Sequence, residues 1–592
     1  MDVHVFASMD PGIFQQLAAF LQPVSFPKGS RIMREGDPGD GGYVIDAGEV
    51  RVEARATSGA LEHELCYLGA GELLGEFSLL DGEPRSASAF AHTDVQARWL
   101  SRDDFEKLGR ENPVVSNALL LAFSRGLTRK IRRENALMTD YLLADEPDLE
   151  ANRMVAQAVA AQKQFVSWPE DRVDALLKDV ANAVAAHAAE LAEVNVADSG
   201  MGTPADKVLK IQFSCNNVLN SLLNQKAAGT LREISPTHVV EIASSVGVIF
   251  GVIPVTNPVS TIVFKALIAL KSRNALIYSC HRDAIHVGNM TGELIQSALA
   301  RHSAPVNLVQ WVANRTDRRK TAAFMKHPQV GLILATGGPG IVEAAYKSGK
   351  PAIGVGAGNA PVWVCADADL AAAAKAVVLS KTFDNGVICG SENNLVVDES
   401  VRAEFIRELE AQGATLLTPD ELHRFTPQAF DVAHPSVNRA FIGKSAAYIV
   451  QKTGLRRATP PRLIVVPAVM ADIKGPYGSE KLAPILSLFT VKGEDQAIAL
   501  CRQILEHQGI GHTAIIHTRS EALARRFGDE IPASRILLNA PGAQGCIGLG
   551  TGLTPSLTLG CGTFGGNSTT DNVTFTHLLN VKRLALGPCL SA

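Results

Sequence analysis

Residues 330–364 read VGLILATGGPGIVEAAYKSGKPAIGVGAGNAPVWV, and this stretch decides the fold of most of the chain. An apolar run of strand length, VGLIL, is followed by the glycine turn ATGGPG and the helical run IVEAAYKS. From about residue 150 onward, other Val/Ile-rich runs such as VGVIFGVIPV and NALIYS alternate with alanine-rich helical stretches. Strands that alternate with helices predict a parallel α/β architecture. Because the region spans about 440 residues, we expect two lobes rather than one sheet unit.

The first 143 residues have a different sequence pattern. Glycines punctuate short apolar alternations in FPKGSRIMREGDPGDGGYVIDAGEVRVEAR, residues 26–55. This pattern predicts a small antiparallel β-barrel or β-roll. A helical run follows at 117–135, and the acidic, proline-containing ADEPDLE, residues 144–150, separates it from the α/β region. We predict a domain over 1–143, a linker over 144–150 and an α/β unit over 151–592, with a helix–helix turn as the alternative to a linker.

Composition excludes several classes of protein. The chain has 592 residues, of which 46% are hydrophobic and 20% charged, with a formal net charge of −4, as in ordinary soluble globular proteins. Its nine cysteines are odd in number and form no C-x-x-C pair, which favours reduced cytoplasmic thiols over disulfides or a zinc site. The start MDVHVFASMDPG does not resemble a signal peptide, and the apolar stretch 246–270 is interrupted by Pro254, Pro258 and Lys265. We therefore expect a cytoplasmic protein with no metal, no membrane span and no nucleic-acid partner.

The run GEFSLLDGEPRSA, residues 75–87, contains groups that suit a phosphate. A tight turn of backbone N–H groups can surround one phosphate, and Arg85 beside it supplies charge-assisted donors. Glu76 can accept a hydrogen bond from a sugar hydroxyl. A lone Glu/Arg pair would more simply be a polar pair on a turn. The whole run, however, resembles the phosphate-binding cassette of cyclic-nucleotide-binding domains, since it matches G-E-x-[AS]-L-x-x-G-x-P-R-[AST]-A at every fixed position.

That resemblance implies a regulatory ligand, with cyclic AMP as the default and cyclic GMP left open. Glu76 would bind the ribose 2′-hydroxyl and Arg85 the cyclic phosphate. The implied binding residues are Gly75, Glu76, Phe77, Ser78, Arg85, Ser86 and Ala87.

A DNA-binding helix-turn-helix is the alternative continuation of such a domain. The basic cluster between Arg125 and Arg133 fits the solvated face of a helix over 114–140 more simply. An enzyme-sized α/β segment follows it instead of a second short helix pair. We therefore expect an enzyme rather than a transcription factor.

Cys389 lies in SKTFDNGVICGSE, residues 380–392. Glycine and polar residues flank it, so a substrate could reach its thiolate. A lone cysteine is more often structural, and Cys365 in the apolar run PVWVCA has that appearance. The glycine turn at 335–340, between a strand and a helix, suits a dinucleotide, although it is not G-x-G-x-x-G.

These segments resemble the aldehyde dehydrogenase superfamily and, more narrowly, its CoA-acylating branch, as in the aldehyde dehydrogenase half of bifunctional aldehyde–alcohol dehydrogenases. Further segments that share the resemblance are DSGMGTPADKVLK, IPVTNPVSTIVFKALIALKSRNALI, EKLAPIL, GIGHT and PSLTLGCGTFGGNS. It implies a cofactor-binding lobe with an oligomerisation segment over about 151–358 and 560–592, and a catalytic lobe over about 359–559.

The resemblance also implies roles for particular residues. Cys389 would attack the aldehyde carbonyl, and the Asn257 side-chain amide with the Cys389 N–H would stabilise the oxyanion. Without the resemblance, Asn257 would be a turn residue before Pro258 and Glu480 a surface glutamate. The implied NAD-binding residues are Thr256, Ser279, His281, Thr336, Gly337, Gly338 and Glu480.

Release of the acyl group decides the reaction. Hydrolytic relatives keep a glutamate in an E-L-G-G-K run, and the corresponding position here is Val355, which cannot activate water. Transfer to the thiol of coenzyme A is therefore expected. His512 in GIGHT either assists that thiol or a proton transfer, or is a hydrogen-bonded structural residue.

The sequence therefore predicts an acylating, NAD-dependent aldehyde dehydrogenase regulated by a cyclic nucleotide. Acetaldehyde is the expected substrate, with sulfoacetaldehyde and succinate semialdehyde open, and Arg282 leaves NADP open. A homo-oligomer is expected, a dimer or larger and conceivably a filament. Three alternatives remain: a hydrolytic or phosphorylating enzyme, an inactive interaction platform, and a constitutive enzyme whose N-terminal domain only mediates assembly.

Overall fold

The chain divides into two compact units, Met1–Leu143 and Ala144–Ala592. The basic cluster between Arg125 and Arg133 and the first three residues of the predicted linker lie outside the described residues. The computed structural model describes residues 10–55, 62–124, 126–128, 147–234, 239–314, 317–431 and 436–587.

The N-terminal unit contains two four-stranded antiparallel sheets. In spatial order, their strands are Gln22–Phe26, Val95–Ser101, Gly41–Ala47 and Leu73–Leu74 in one sheet, and Arg31–Met33, Ser88–Ala91, Val50–Arg55 and Glu62–Leu68 in the other. Val50 and Val52 are buried while Arg51 between them is half-buried, which is the period of two expected of a strand with one apolar face. The antiparallel pairing agrees with the prediction from the glycine-punctuated alternation, and a roll or barrel closure stays a prediction.

Helices flank these sheets at Pro11–Ala18, Glu76–Asp81 and Arg102–Glu111, and residues 113–124 are also helical. Leu119 and Phe123 of this last helix belong to the same buried apolar cluster as Leu79. The helix that follows the sheets is therefore packed against residues 75–87, the predicted phosphate-binding segment, which we call the phosphate cradle.

The second unit begins with helices Pro147–Phe165, Glu170–Ala186, Ala188–Ser199, Pro204–Gln212 and Leu219–Leu222, with the π-helical segment Phe213–Val218 before the last. The structure differs from the linker prediction at residues 147–150, which form the first turn of the first helix. Proline suits the first helical position, where its missing N–H has no partner to lose. Asp148 and Glu150 in this turn interact favourably with the positive end of the helix dipole. Residues 147–150 of the run are thus a helix start.

A five-stranded parallel sheet occupies residues 248–355. In spatial order its strands are Val309–Trp311, Ala275–Cys280, Val248–Ile253, Val330–Thr336 and Ala352–Val355. Its helices are Pro258–Lys271, Ile285–Arg301, Arg318–Lys326 and Pro339–Lys347. Every residue of Ala275–Cys280 and of Pro258–Lys271 is buried, which explains why neither shows the apolar–polar alternation of an element with one solvent-exposed face.

A seven-stranded parallel sheet occupies residues 360–538. In spatial order its strands are Ala414–Leu416, Leu463–Pro467, Ile485–Val491, Glu392–Asp398, Ala360–Val364, Gly511–His517 and Ala533–Leu538. The helices of this part are Leu370–Thr382, Arg402–Ala411, Pro419–Ala429, Ala446–Lys452, Glu494–His507, Glu521–Glu530 and Gly542–Cys546. Cys365, expected to be a packing residue, is buried in a core cluster with Trp363 and Phe489.

A three-stranded antiparallel sheet joins distant parts of the second unit. Its strands, in spatial order, are Leu579–Ala585, Val239–Ser245 and Gly229–Ile234. Smaller elements are the strand pair Phe430–Asp431 and Ser436–Val437, and the 3₁₀ turns Arg282–Ala284, Val306–Leu308, Phe383–Gly386, Arg439–Phe441, Met470–Asp472, Thr563–Gly565 and Phe575–Leu578. The predicted parallel α/β architecture is confirmed. Among the described residues, no helix combines the length and apolar character that crossing a membrane requires.

Candidate active site

The order of strands reverses at one position in the five-stranded sheet. Val248–Ile253 comes first in the sequence, and it pairs with Ala275–Cys280 on one edge and with Val330–Thr336 on the other. The connections therefore leave these strands toward opposite faces, and a crevice forms at the carboxyl ends. Dinucleotides bind in such crevices of open parallel sheets.

Six residues predicted to contact NAD lie at or just beyond the carboxyl ends of these three strands: Thr256, Ser279, His281, Thr336, Gly337 and Gly338. Gly338 is the N-cap of the helix Pro339–Lys347 and provides no side chain to satisfy the first N–H groups. Among the described residues, the hydroxyl oxygen of Thr336 is buried without a hydrogen-bond partner. A helix start without a side-chain cap and an unpaired buried hydroxyl at a switch point fit the polar atoms of a dinucleotide.

Cys389 lies in the loop between the 3₁₀ turn Phe383–Gly386 and the strand Glu392–Asp398, and it is half-buried. The loop passes so close to Gly358 that a Cβ there would be 1.8 Å from the carbonyl oxygen of Cys389, so glycine is required at this position. Burial raises the pKa of the Cys389 thiol to about 12, and the Glu480 carboxylate raises it in the same direction. The thiol is therefore protonated at neutral pH and must lose its proton in order to attack a carbonyl.

Glu480 lies near this thiol and is not a surface residue. Its carboxylate accepts a hydrogen bond from the N–H of Gly358, the residue that packs against Cys389. Burial raises the pKa of Glu480 to about 7, although the ammonium groups of Lys381 and Lys481 act in the opposite direction. A carboxyl group with this pKa can exchange a proton near neutral pH.

Asn257 immediately precedes the helix Pro258–Lys271, and its side chain is held at both ends. The Lys210 Nζ donates to Asn257 Oδ1 at 2.6 Å, and Asn257 Nδ2 donates to Thr256 Oγ1 at 3.1 Å. Lys210 also forms an ion pair with Asp384, which lies in the 3₁₀ turn just before Cys389. The two residues predicted to act on the carbonyl are therefore linked through one buried lysine and one buried aspartate.

His512 is the second residue of the strand Gly511–His517 and is 1% exposed. Its Nδ1 lies 2.9 Å from Thr513 Oγ1, while its Nε2 is buried without a partner among the described residues. Burial, aided by the Arg535 guanidinium, lowers the pKa of His512 to about 3, so the imidazole is neutral. Arg535 also acts on the pKa of Cys389, which indicates that the imidazole and the thiol share its surroundings.

Val355 ends the strand Ala352–Val355 and is 6% exposed. It is directly opposite Thr336 in the parallel pairing of the two strands. The residue predicted to stand where hydrolytic relatives have a glutamate is therefore a buried aliphatic side chain at the end of the strand beside Val330–Thr336. Valine offers no atom that could take a proton from water.

The predicted phosphate cradle in the N-terminal unit centres on Arg85, which is 4% exposed. Its Nη1 donates to the carbonyl oxygens of Gly41 at 2.6 Å and Gly75 at 3.2 Å, and its Nη2 donates to Asp40 Oδ1 at 3.0 Å. Gly75 has φ +78°, and a Cβ there would lie 2.4 Å from Arg85 Nη1. Glycine is thus needed both for the left-handed backbone and for the close approach of the guanidinium.

The other cradle residues differ in exposure. Ser78 and Ala87 are buried, whereas Ser86 and the Phe77 ring are exposed. Glu76 is 3% exposed and lines a small cavity, about 10 Å³ in volume, together with Leu119 and Phe123 of the following helix. The cradle therefore places exposed and buried polar groups around the Arg85 guanidinium.

Among the described residues, no group of three or more His, Cys, Asp or Glu side chains could hold a metal ion. The polar groups of both sites instead suit organic ligands with phosphate and hydroxyl groups.

The family model described as the aldehyde dehydrogenase family matches residues 136–558, well over half of the chain. The chain belongs to the aldehyde dehydrogenase family. A second model, the cyclic nucleotide-binding domain, matches residues 23–112. The family resemblances drawn from the Cys389 and Arg85 segments are therefore confirmed.

One curated relative is the bifunctional aldehyde-alcohol dehydrogenase AdhE of Escherichia coli K12, which is 38% identical over 441 residues. The match covers 74% of this aldehyde dehydrogenase family member and 49% of the relative, so the chain spans about half the length of the curated relatives it matches first. A solved structure of an acetylating aldehyde dehydrogenase from Geobacillus thermoglucosidasius is 40% identical, with a TM-score of 0.72, and the match covers 75% of this chain and 97% of that one.

A second solved structure is the propionaldehyde dehydrogenase of Rhodopseudomonas palustris with bound CoA and an acylated cysteine. It is 25% identical, with a TM-score of 0.67, over 74% of this chain and 97% of that chain. The α/β fold is thus shared with acetylating members of the family.

Sequence reasoning missed Lys210 and Asp384, although both lie inside segments that suggested the family. A signal was available, because Lys207 and Lys210 are spaced by three residues and so share one face of the helix Pro204–Gln212. Two lysines on one buried face require a nearby carboxylate. The sequence could not indicate that the carboxylate comes from Asp384, 174 residues away from Lys210.

Proposed function

We propose that the chain is a NAD-dependent, CoA-acylating aldehyde dehydrogenase: aldehyde + CoA + NAD⁺ ⇌ acyl-CoA + NADH + H⁺. One observation supports this reaction above the others. Cys389 packs against Gly358, three residues after the buried Val355, which ends a strand of the sheet with the dinucleotide-type crevice and holds the predicted water-activating position. The position that activates water in hydrolytic relatives then offers no base, and a thiol acceptor is favoured.

The chain's residues act on the carbonyl in a defined order. The sulfur of Cys389 forms a bond to the aldehyde carbon, and the amide N–H of Asn257 stabilises the oxygen anion that results. The bound nicotinamide supplies the hydride acceptor that converts this adduct into a thioester. The CoA sulfur then bonds to the carbonyl carbon of this thioester, the bond from that carbon to the Cys389 sulfur breaks, and the acyl group leaves as acyl-CoA while Cys389 is regenerated.

The reaction requires two proton transfers, one from the Cys389 thiol and one from the CoA thiol. The Cys389 thiol, with a pKa of about 12, needs an acceptor for its proton. Glu480, with a pKa that burial raises to about 7, lies near it and is one group able to accept. The neutral imidazole of His512 is available to form a hydrogen bond with the CoA thiol, and its low pKa favours a role in orientation over a role as a strong base.

The aldehyde is proposed to be short and aliphatic, with acetaldehyde first. Sulfoacetaldehyde and succinate semialdehyde are the charged alternatives. The cofactor-binding lobe is assigned to about 151–358, with an oligomerisation segment over 560–592, and the catalytic lobe to about 359–559. A cytoplasmic homo-oligomer is proposed with this assignment.

The test is NADH formation from NAD⁺ with each of the three aldehydes in the presence of CoA, phosphate or water alone. CoA-dependent NADH formation is the expected result. Cys389→Ser should lower turnover by at least about 1,000-fold, because the nucleophile is lost. Cys365→Ala removes a thiol that lies in the core and should keep turnover within a few-fold. Equal NADH formation with water alone would refute the acylating assignment.

We infer that the N-terminal domain binds a cyclic nucleotide and regulates the enzyme. The buried Arg85 guanidinium beside the exposed Ser86 supports binding, and the contact of the following helix with the cradle segment supports transmission. Cyclic AMP is the first ligand to test and cyclic GMP the second. A coupling of about 1–3 kcal/mol between nucleotide and substrate binding is expected.

The experiment measures turnover and particle size with and without each nucleotide, in the wild type and in Arg85→Ala. A change in turnover that Arg85→Ala abolishes supports regulation. A nucleotide that binds without altering turnover, but alters particle size, would support the alternative of an assembly module.

A further inference from the structure

A buried cluster of charges lies beside the candidate active site. It consists of Lys207, Lys210 and Asp384, whose side chains are 1%, 3% and 0% exposed. The Lys207 Nζ lies 2.7 Å from Asp384 Oδ2, and Lys210 contacts the same oxygen. Charges this deeply buried are costly unless they are paired, and their pairing fixes the segments that contain them.

The two lysines differ in what else they touch. Lys207 Nζ donates to the main-chain carbonyl of Thr256 at 2.5 Å, whereas Lys210 Nζ donates to the side-chain oxygen of Asn257 at 2.6 Å. An ammonium group can only donate, so the amide of Asn257 must present its oxygen to Lys210 and its Nδ2 to the other side. One Nδ2 hydrogen is directed at Thr256 Oγ1, and the same nitrogen carries a second hydrogen that can donate.

The carboxylate of Asp384 is held in place as firmly as the Asn257 amide. Asp384 and Asn385 have φ of +49° and +54°, in the left-handed region that few residues other than glycine adopt. Asp384 Oδ1 accepts from the Thr203 N–H at 2.9 Å, and the Asp384 N–H donates to Asp206 Oδ2 at 2.9 Å. This turn ends three residues before Cys389. The cluster thus connects the Asn257 amide to the loop of the nucleophile.

We propose that Lys210 is a positioning residue that orients and polarises the Asn257 amide toward the oxyanion formed at Cys389. A cation at the amide oxygen draws electron density away from the N–H and strengthens it as a donor. A fixed amide also needs no reorientation when the oxyanion forms. This inference rests on the proposed function, in which Asn257 stabilises that oxyanion.

The test uses an acylating probe that does not depend on the identity of the aldehyde or on CoA. With p-nitrophenyl acetate, the Cys389 sulfur bonds to the carbonyl carbon, the ester C–O bond breaks, and p-nitrophenolate leaves with the electron pair. The thiol proton passes to solvent. The burst of p-nitrophenolate in the full-length enzyme measures acylation, and NADH formation from acetaldehyde, CoA and NAD⁺ is measured in parallel.

Lys210→Met should lower the burst rate by about 100-fold, as expected for an oxyanion donor that is no longer held. Lys210→Arg keeps the cation and the donor and should recover most of the rate. Lys207→Met is the matched control, since it removes a lysine that binds the same carboxylate but not the Asn257 side chain, and its loss should be much smaller. The dissociation constant of NADH should stay within about twofold in all three variants.

A double-mutant cycle of Lys210 and Asn257 distinguishes positioning of the Asn257 amide from a general contribution of Lys210 to the stability of the fold. In an Asn257→Ala background, Lys210→Met should cost less than about threefold, because the amide on which it acts is absent. Multiplicative losses in the cycle would overturn the inference. It would also be overturned by equal losses in Lys207→Met and Lys210→Met, or by Lys210→Arg being no better than Lys210→Met.

Failure of the proposed function gives a different result. A wild-type burst without CoA-dependent NADH formation would refute the reaction and leave the cycle interpretable. A normal burst in Asn257→Ala would instead remove the oxyanion role of Asn257 and the inference with it.

Discussion

Each of the two units has a buried cation near a proposed anion site, Arg85 at the phosphate site itself and Lys210 one amide group away from the oxyanion, but the counter-ions differ. The side chain of Arg85 is 3% exposed, and that of its partner Asp40 is 75% exposed. The side chain of Lys210 is also 3% exposed, whereas that of its partner Asp384 is fully buried. In the Arg85–Asp40 pair the carboxylate is exposed to water, whereas in the Lys210–Asp384 pair both partners are buried.

This difference indicates two uses of a buried cation. Asp40 can leave Arg85 at little cost, because water solvates the carboxylate, so a ligand phosphate can take its place. Asp384 cannot leave Lys210 without becoming an unpaired buried charge. The N-terminal pair is therefore exchangeable, and the Lys210–Asp384 pair is permanent and suits the fixed geometry of the proposed reaction site.

The largest effect is expected from Asp384→Asn. Asparagine is close in size and tolerates the left-handed backbone at this position, so the change isolates the charge. Two buried lysines would lose their carboxylate, and the free energy of unfolding of the second unit should fall by about 3–5 kcal/mol. Urea unfolding measures it. A loss below 1 kcal/mol would mean that this pair is no more permanent than the one in the N-terminal unit.

The next effect is on nucleotide affinity. Arg85→Ala removes the charge-assisted donors of the cradle and should weaken cyclic AMP binding by about 100-fold, with turnover of the unliganded enzyme unchanged. Arg85→Lys is the matched control, which keeps the charge but not the paired donors and should show an intermediate loss. Isothermal titration calorimetry measures both. Unchanged affinity in Arg85→Ala would place the phosphate elsewhere.

Acid should reduce the stabilisation that the Lys210–Asp384 pair gives to the folded state, over a pH range set by the pKa of Asp384. Burial acts to raise the pKa of Asp384, but Lys210 and Lys207 outweigh it and hold the pKa below its ordinary value of 3.8. The stabilisation is therefore fully present above about pH 4 and is lost as the pH falls through the lower folded-state pKa, by about 1.4 kcal/mol for each unit of depression.

The difference in unfolding free energy between wild type and Asp384→Asn should therefore shrink as the pH falls below about pH 4. A difference that stays unchanged from pH 5 down to pH 2 would contradict the depressed pKa.

The smallest effect is expected from Asp40→Asn. An ion pair with one partner in water contributes about 0–1 kcal/mol, so the thermal stability of the N-terminal unit should hardly change. Cyclic nucleotide affinity should rise by up to about fivefold, because a competitor for Arg85 is removed. Weaker binding in this variant would show that Asp40 supports the ligand instead of competing with it.

Prediction from sequence succeeded where the signal is local. The alternation of apolar runs and helices predicted the parallel sheets, and the long motifs around Arg85 and Cys389 predicted the two families. It was wrong for residues 147–150, because an acidic, proline-containing run serves equally as a linker and as a helix start. Lys210 and Asp384 were missed because their partners are remote in sequence.

The sequence by itself determined the fold class, the nucleophile candidate and the residue types of both sites, since periodicity and short motifs are properties of neighbouring residues. Only the tertiary structure decided which polar groups meet. It brought Lys210 to Asn257 and to Asp384, residues 47 and 174 positions away. It also set the pKa of Cys389 and of Glu480, because burial and charge depend on distances in space and not along the chain.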